Sequence, residues 1–185
     1  MARNTAYRVM HDLGLAAWFG GTLANAVSLN PAAAQATDAS GTGAVANTGW
    51  DRWEPVNAAA IGVHLVGSVG LFVVNLHRVT AQRGVGSMSL AKTGLTAAAL
   101  GVTAYSRVLG RKVSRETRVP AESGTQPTES TPSDIANAQR QLAVLQWVVP
   151  ALTGALVGVS AFAGEQQRTR ETLKGVFARA VPWDI

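Results

Sequence analysis

A long apolar run is the feature that most constrains this chain. It extends from Pro55 to Arg78 and reads PVNAAAIGVHLVGSVGLFVVNLHR, with Trp53 just before it and His77 next to its end. Because a helix rises about 1.5 Å per residue, about 20 such residues cross a hydrocarbon core roughly 30 Å thick. Tryptophan at one end and basic residues at the other are typical interfacial anchors. The run therefore predicts a transmembrane helix.

The composition favours a membrane protein over a nucleic-acid-binding one. Only 15% of the residues are charged, against about 25% in soluble domains. The net charge is +5, but the basic residues cluster at the ends of apolar runs, as the positive-inside rule predicts, and aromatic residues do not interleave with them. The chain has no cysteine, which excludes disulfides, thiolate catalysis and Cys-ligated metal.

Three further apolar runs predict an all-α fold, a four-helix transmembrane bundle with antiparallel neighbouring spans in a single membrane domain, 1–185. The Ser/Thr/Pro/Glu-rich stretch 121–134 predicts a disordered linker. The predicted spans are 12–29, 56–76, 89–106 and 142–164, the outer loops are 30–54 and 111–140, and a basic tail, 165–185, lies on the membrane surface.

The first run has two interpretations. Arg3 and Arg8, an apolar stretch and the Ala-rich segment 33–36 also match a secretory signal peptide, which would leave a mature chain starting at Thr37. The run is long for a signal peptide, and its glycines and Asn25 are suited to helix contacts. We therefore expect a retained first span.

The distribution of basic residues predicts the orientation. The short loop after the second span contains Arg78 and Arg83, which places this loop and both termini in the cytoplasm. A basic helical face formed by Arg107, Arg111 and Arg115 after the third span argues for the opposite orientation. We expect a multi-pass protein of the bacterial plasma membrane with cytoplasmic termini.

Three stretches carry a resemblance to a known group of proteins. They read AYRVMHDLGLAAWFGG, KTGLTAAALGVTAYSR and QRQLAVLQWVVPALTGALVG. The pattern resembles a group of small, uncharacterised integral membrane proteins of actinobacteria. The resemblance implies a bacterial plasma-membrane protein, and it implies no activity and no functional residues.

Four polar residues are predicted to share one layer of the bundle. His64 lies about 12 Å deep in the second span at the helical rise, and Asn25, Thr103 and Gln146 reach similar depths in antiparallel spans. Pro150 should kink the last span and free the Gln146 carbonyl. If the layer serves packing, His64 should bond to Asn25 or Gln146; if it is functional, the layer holds a solute, proton or cofactor.

A second polar cluster is predicted at the inner face of the membrane, where Asp12 and Lys92 should form an ion pair. Haem ligation by His11 and His77 is an alternative, although the chain has few histidines to complete it. The members of the cluster are His11, Asp12, Asn75, His77 and Lys92.

No catalytic or metal-binding motif is present in the sequence. The small residues Gly94, Ala97, Ala98, Gly101 and Ala104 suit contact with another helix. We therefore expect a non-enzymatic accessory or scaffold protein without cofactor, whose partners are the lipid bilayer and other membrane proteins or itself, and not nucleic acid. The alternatives are a small oligomeric transporter or channel subunit with a His64-centred layer, and a haem- or quinone-binding redox subunit.

Overall fold

The computed structural model describes residues 4–76, 85–115 and 119–165, and it confirms the all-α class. The predicted tail, His77 and the basic loop with Arg78 and Arg83 lie outside these residues. The helices are α1 (Thr5–Ala24), α2 (Asn30–Ala33), α3 (Ala39–Val74), α4 (Val85–Ser114) and α5 (Ser133–Glu165), with a π-helical segment, Asn25–Leu29, between α1 and α2 and a two-stranded antiparallel sheet of β1 (Ala121–Ser123) and β2 (Gln126–Pro127).

The prediction of a loop over 30–54 is wrong, because α3 already begins at Ala39. Asp38 has an extended backbone, and its side chain accepts a hydrogen bond of 2.7 Å from the Gly41 N–H. This is an N-cap, and it starts a helix that runs on through Pro55 for 36 residues. Proline removes one backbone donor, but the packing on both sides holds the helix together.

The predicted disordered linker is folded. Residues 119–132, which we call the hairpin cap, contain β1 and β2. Val119 and Ala121 are each only 1% exposed, and Val119 packs with Leu109 and Ile135 in a small core. The Thr131 hydroxyl donates to the Pro120 carbonyl. Buried apolar side chains and internal hydrogen bonds offset the entropy lost when this segment becomes ordered. Its polar composition alone does not predict these contacts.

Glycines bring α1 and α3 together as antiparallel neighbours. A Cβ added at Gly14 would lie 2.5 Å from both the Ala60 carbonyl oxygen and the His64 backbone nitrogen. Seven residues earlier on α1, Tyr7 covers Gly70. Main-chain contact of this kind is possible only where side chains are absent, as is known from membrane helix pairs.

The helices form two pairs, which contact each other mainly through one helix of each pair. α1 packs along α3, and α4 packs along α5, while α1 and α5 join the pairs and α3 and α4 barely touch. The pairs share one apolar core in the middle of the bundle. Its buried members are Leu15, Trp18, Ala99, Val149 and Leu156.

Two helices, α3 and Ser133–Gly164 of α5, are long and apolar enough to cross a membrane. In their most apolar windows, only 17% and 22% of the residues are buried inside the structure. Large apolar side chains therefore point outward along them, including Val69 at 63% exposure and Phe162 at 69%.

Candidate functional site

His64 lies between α1 and α3. It is fully buried, its Nδ1 donates to the His11 carbonyl oxygen at 3.1 Å, and its Nε2 accepts from Ser68 at 3.4 Å. Its ring lies 4.6 Å from that of His11. The predicted bond to Asn25 or Gln146 is therefore wrong, since both ring nitrogens have other partners.

Gln146 instead belongs to a network under the hairpin cap. Its Oε1 accepts from Asn30 Nδ2 at 2.7 Å, and Asn30 Oδ1 accepts from Trp50 Nε1 at 2.9 Å. Gln146 Nε2 reaches Thr125 Oγ1 at 3.3 Å, and the backbone N–H of Gly124 donates to the Asn30 carbonyl. Asn30 is 2% exposed, so this network fixes the cap to the helices.

The other two members of the predicted layer form no cross-helix bond within the described ranges. The Asn25 Nδ2 atom is buried without a hydrogen-bond partner there, and so is Thr103 Oγ1. Equal depth along four helices therefore did not place the four side chains on one interface.

The inner-face cluster is divided between two places. His11 Nδ1 donates to the Asp12 carboxylate at 2.7 Å, and the ion pairs of the described residues do not include one between Asp12 and Lys92. Lys92 and Asn75 line a separate cleft between α3 and α4. His77 lies outside the described residues. His11 is 1% exposed, and its ring packs against that of His64.

A cavity of about 150 Å³ lies among α3, α4 and α5 at the end of the bundle that carries the hairpin cap. We call it the hairpin-end cavity. Its floor includes Ile61 and Thr103, Gln146 lies on its wall, and Trp53 and Asn57 face it from α3. Two of the four predicted layer residues, Thr103 and Gln146, therefore line one cavity.

Charged residues that line this cavity form ion pairs across it. The Glu54 carboxylate pairs with Arg107, and it also accepts from Arg111 at 2.9 Å. Asp51 is a further lining residue and is exposed. Beyond the cavity, Lys112 pairs with Asp134 at 3.1 Å, and the hydrogen bond from Lys112 lowers the pKa of that carboxyl.

A second, wider opening lies between α3 and α4 at the opposite end of the bundle. This loop-end cleft has a volume of about 600 Å³, within the range of small-molecule sites. Its walls are mostly apolar, with Lys92, Asn75 and Ser68 among its polar lining residues. Leu65 and Leu100 line this cleft and Ile61 lines the cavity, so about one helical turn of apolar residues separates the two.

Sequence reasoning missed most of the residues that build this region. The predicted loop 30–54 begins at Asn30 and contains Asp51, Trp53 and Glu54. One sequence signal could have indicated this region. Glu54 is the last acidic residue before the apolar run, and it could be expected to pair with the basic face that begins at Arg107.

Comparison with protein-family models, with curated proteins and with solved structures finds no match to this chain.

Proposed function

We propose that the chain is a multi-pass protein of the bacterial plasma membrane with four spans. The support is the outward-facing apolar surface of α3 and α5, together with the length of those helices. α1 packs along α3 and α4 along α5, so both would cross the bilayer beside them. Exposed apolar surface of this extent is costly in water and favourable in lipid.

Within the membrane, we propose a non-enzymatic accessory or scaffold role based on lateral assembly. Gly94, Ala97, Ala98, Gly101 and Ala104 lie at helical spacing on α4, and all five are exposed. An added Cβ at Gly94 or Gly101 would meet nothing within 4 Å. Gly14 of α1 and Gly67 of α3 already contact the main chain of the other helix, whereas this face of α4 is open to a second helix.

Cysteine cross-linking tests this assembly, since the chain has no cysteine of its own. Ala98→Cys should form a cross-linked adduct in native membranes, and mass spectrometry would identify it as a second copy or another membrane protein. Val66→Cys, on an exposed apolar face of α3, is the matched control. Equal cross-linking at both positions would contradict a specific face.

With cytoplasmic termini, the proposed orientation has the hairpin cap on the outer side of the membrane and Thr5 in the cytoplasm. Thr5→Cys and Ser130→Cys, both at exposed positions, should differ in labelling by a membrane-impermeant maleimide on intact cells. Only the Ser130 variant should react, and the reverse result would invert the topology. Intact-mass analysis decides whether the first span is retained, because a chain starting at Thr37 would lack α1.

A transporter or channel subunit is the second candidate, and one observation favours it. The hairpin-end cavity and the loop-end cleft approach the middle of the bundle from opposite ends. The pathway would run between α3 and α4 and would bypass His64. Solute flux in proteoliposomes should then rise when Ile61 and Leu100 are replaced by alanine, and unchanged flux would argue against this candidate.

A further inference from the structure

Three polar side-chain atoms on the wall of the hairpin-end cavity lack a protein partner. Trp53 Nε1, Asn57 Oδ1 and Thr103 Oγ1 are buried, and none has a hydrogen-bond partner in the part of the chain that the structure describes. Buried polar groups are nearly always hydrogen-bonded in folded proteins. All three residues line the same cavity, so they give its wall both hydrogen-bond donors and hydrogen-bond acceptors.

The two long walls of the cavity carry opposite polarity. Both acidic lining residues, Asp51 and Glu54, are on α3, and both basic ones, Arg107 and Arg111, are on α4. Two of the three unpartnered neutral groups follow the same division, and Trp53 Nε1, a donor on α3, does not. Asn57 lies three residues after Glu54 and presents an oxygen acceptor, whereas Thr103 lies four residues before Arg107 and has a hydroxyl donor. Residues at these spacings share a helix face.

The balance of charge and the size of the cavity restrict what can occupy it. Two acidic and two basic residues line it, so a ligand with a net charge would add an uncompensated charge to a partly buried site. A volume of about 150 Å³ is comparable to cavities that hold a benzene-sized molecule. The occupant therefore has about five to nine non-hydrogen atoms by this comparison.

We propose that the hairpin-end cavity binds a compact zwitterion, a solute with one ammonium and one carboxylate group separated by a few atoms. The ammonium group lies towards Asn57 and Glu54 on the α3 wall. The carboxylate lies towards Thr103 and Arg107 on the α4 wall, where it competes with Glu54 for the guanidinium group, and the Trp53 N–H offers it a further donor. The inference goes beyond lateral assembly and requires neither an oligomer nor transport.

Equilibrium titration of the full-length protein in lipid nanodiscs tests the proposal. Alanine, proline and 4-aminobutanoate serve as zwitterions, propanoate and propylammonium carry one of the two charges, and 1,2-propanediol carries none. At least one zwitterion should bind about tenfold more tightly than every matched compound, a difference of about 1.4 kcal/mol. No zwitterion binding, or equal binding of propanediol, would overturn the proposal.

Paired threonine variants locate the site. Thr103→Val should weaken zwitterion binding by about two- to tenfold, the range expected for one hydrogen bond. It should leave the unliganded unfolding temperature unchanged, because that hydroxyl has no protein partner among the described residues. Thr96→Val, on the same helix but lining the loop-end cleft, should change neither quantity. Equal effects of the two variants would place the ligand elsewhere.

A protection experiment covers the case in which Thr103→Val does not fold. Ser106 also lines the cavity, and Ser106→Cys would be the single thiol of the chain. A zwitterion that binds should slow alkylation of this cysteine, whereas propanediol at the same concentration should not. Equal alkylation rates with and without the binding zwitterion would refute the assignment to this cavity.

Discussion

The contact between α1 and α3 predicts opposite effects for the same substitution at two glycines of α1. At Gly14, an added methyl group would lie 2.5 Å from the Ala60 oxygen and the His64 nitrogen. At Gly20, it would meet nothing within 4 Å. Gly14→Ala should therefore destabilise the protein, and Gly20→Ala, the matched control, should not.

The expected difference in unfolding free energy follows from three contributions, of which the first is common to both variants. Replacing glycine by alanine in a helix stabilises it by about 0.5–1 kcal/mol at either position. At Gly14, main-chain atoms can give way only if the helices separate, and such overpacking costs about 1–3 kcal/mol. Separation also weakens the bond from His64 to the His11 carbonyl, worth about 1 kcal/mol. The two variants should differ by about 2–4 kcal/mol in total.

Unfolding of both variants in one detergent provides the measurement. For a chain of this length, the expected difference corresponds to a midpoint gap of roughly 5 °C or more. Gly14→Ala should unfold at the lower temperature, and Gly20→Ala at or slightly above the wild-type value. Equal midpoints would refute the close α1–α3 approach, and with it the packing role assigned to His64.

Three further predictions concern the cap and the buried histidine. Asn30→Ala should lower the free energy of unfolding by about 2–4 kcal/mol, because Gln146 and Trp50 each lose a buried partner; thermal unfolding measures it. His64→Leu should lower the free energy of unfolding by only about 1–2 kcal/mol, because the His11 carbonyl oxygen also accepts a hydrogen bond within α1. A loss of solute flux without a loss of stability would contradict a packing role. Residues 119–132 should resist limited proteolysis in the intact protein, and rapid cleavage there would contradict a folded cap.

Apolar runs were the part of the fold that the sequence predicted well. The runs around His64 and after Leu142 lie in the two helices of the described residues that are both long and apolar enough to cross a membrane. A run of apolar residues depends on local composition alone, so it needs no knowledge of neighbours.

The ends of the helices were predicted poorly because helix ends depend on single capping residues and on contacts with residues distant in sequence. Asp38 starts α3 through one side-chain bond, in a stretch whose Ala, Gly, Ser and Thr content suggested a loop. The hairpin cap is ordered because Val119 packs on Leu109 and Ile135, residues distant enough in sequence that composition cannot reveal the contact.

The candidate site was only partly predictable for a geometric reason. Depth along a helix can be counted, but each residue also turns by about 100°, so equal depth does not mean a shared face. His64 faces α1, whereas Thr103 and Gln146 face the hairpin-end cavity. Depth alone does not give the helix face on which each residue lies, so counting predicts a single layer for residues that lie in different environments.

The length of α3 has a mechanical consequence. Its 36 residues span about 54 Å, and a hydrocarbon core takes up only about 30 Å of that. In the proposed membrane arrangement, the rest extends beyond the hydrocarbon core with the hairpin cap attached to it, so the helix acts as a lever. A change in tilt of about 10° displaces one end by about 9 Å relative to the other. Pro55, which lacks a backbone donor, is the point where this lever can bend most easily. Rearrangements among the spans would thus be amplified into movements of the cap.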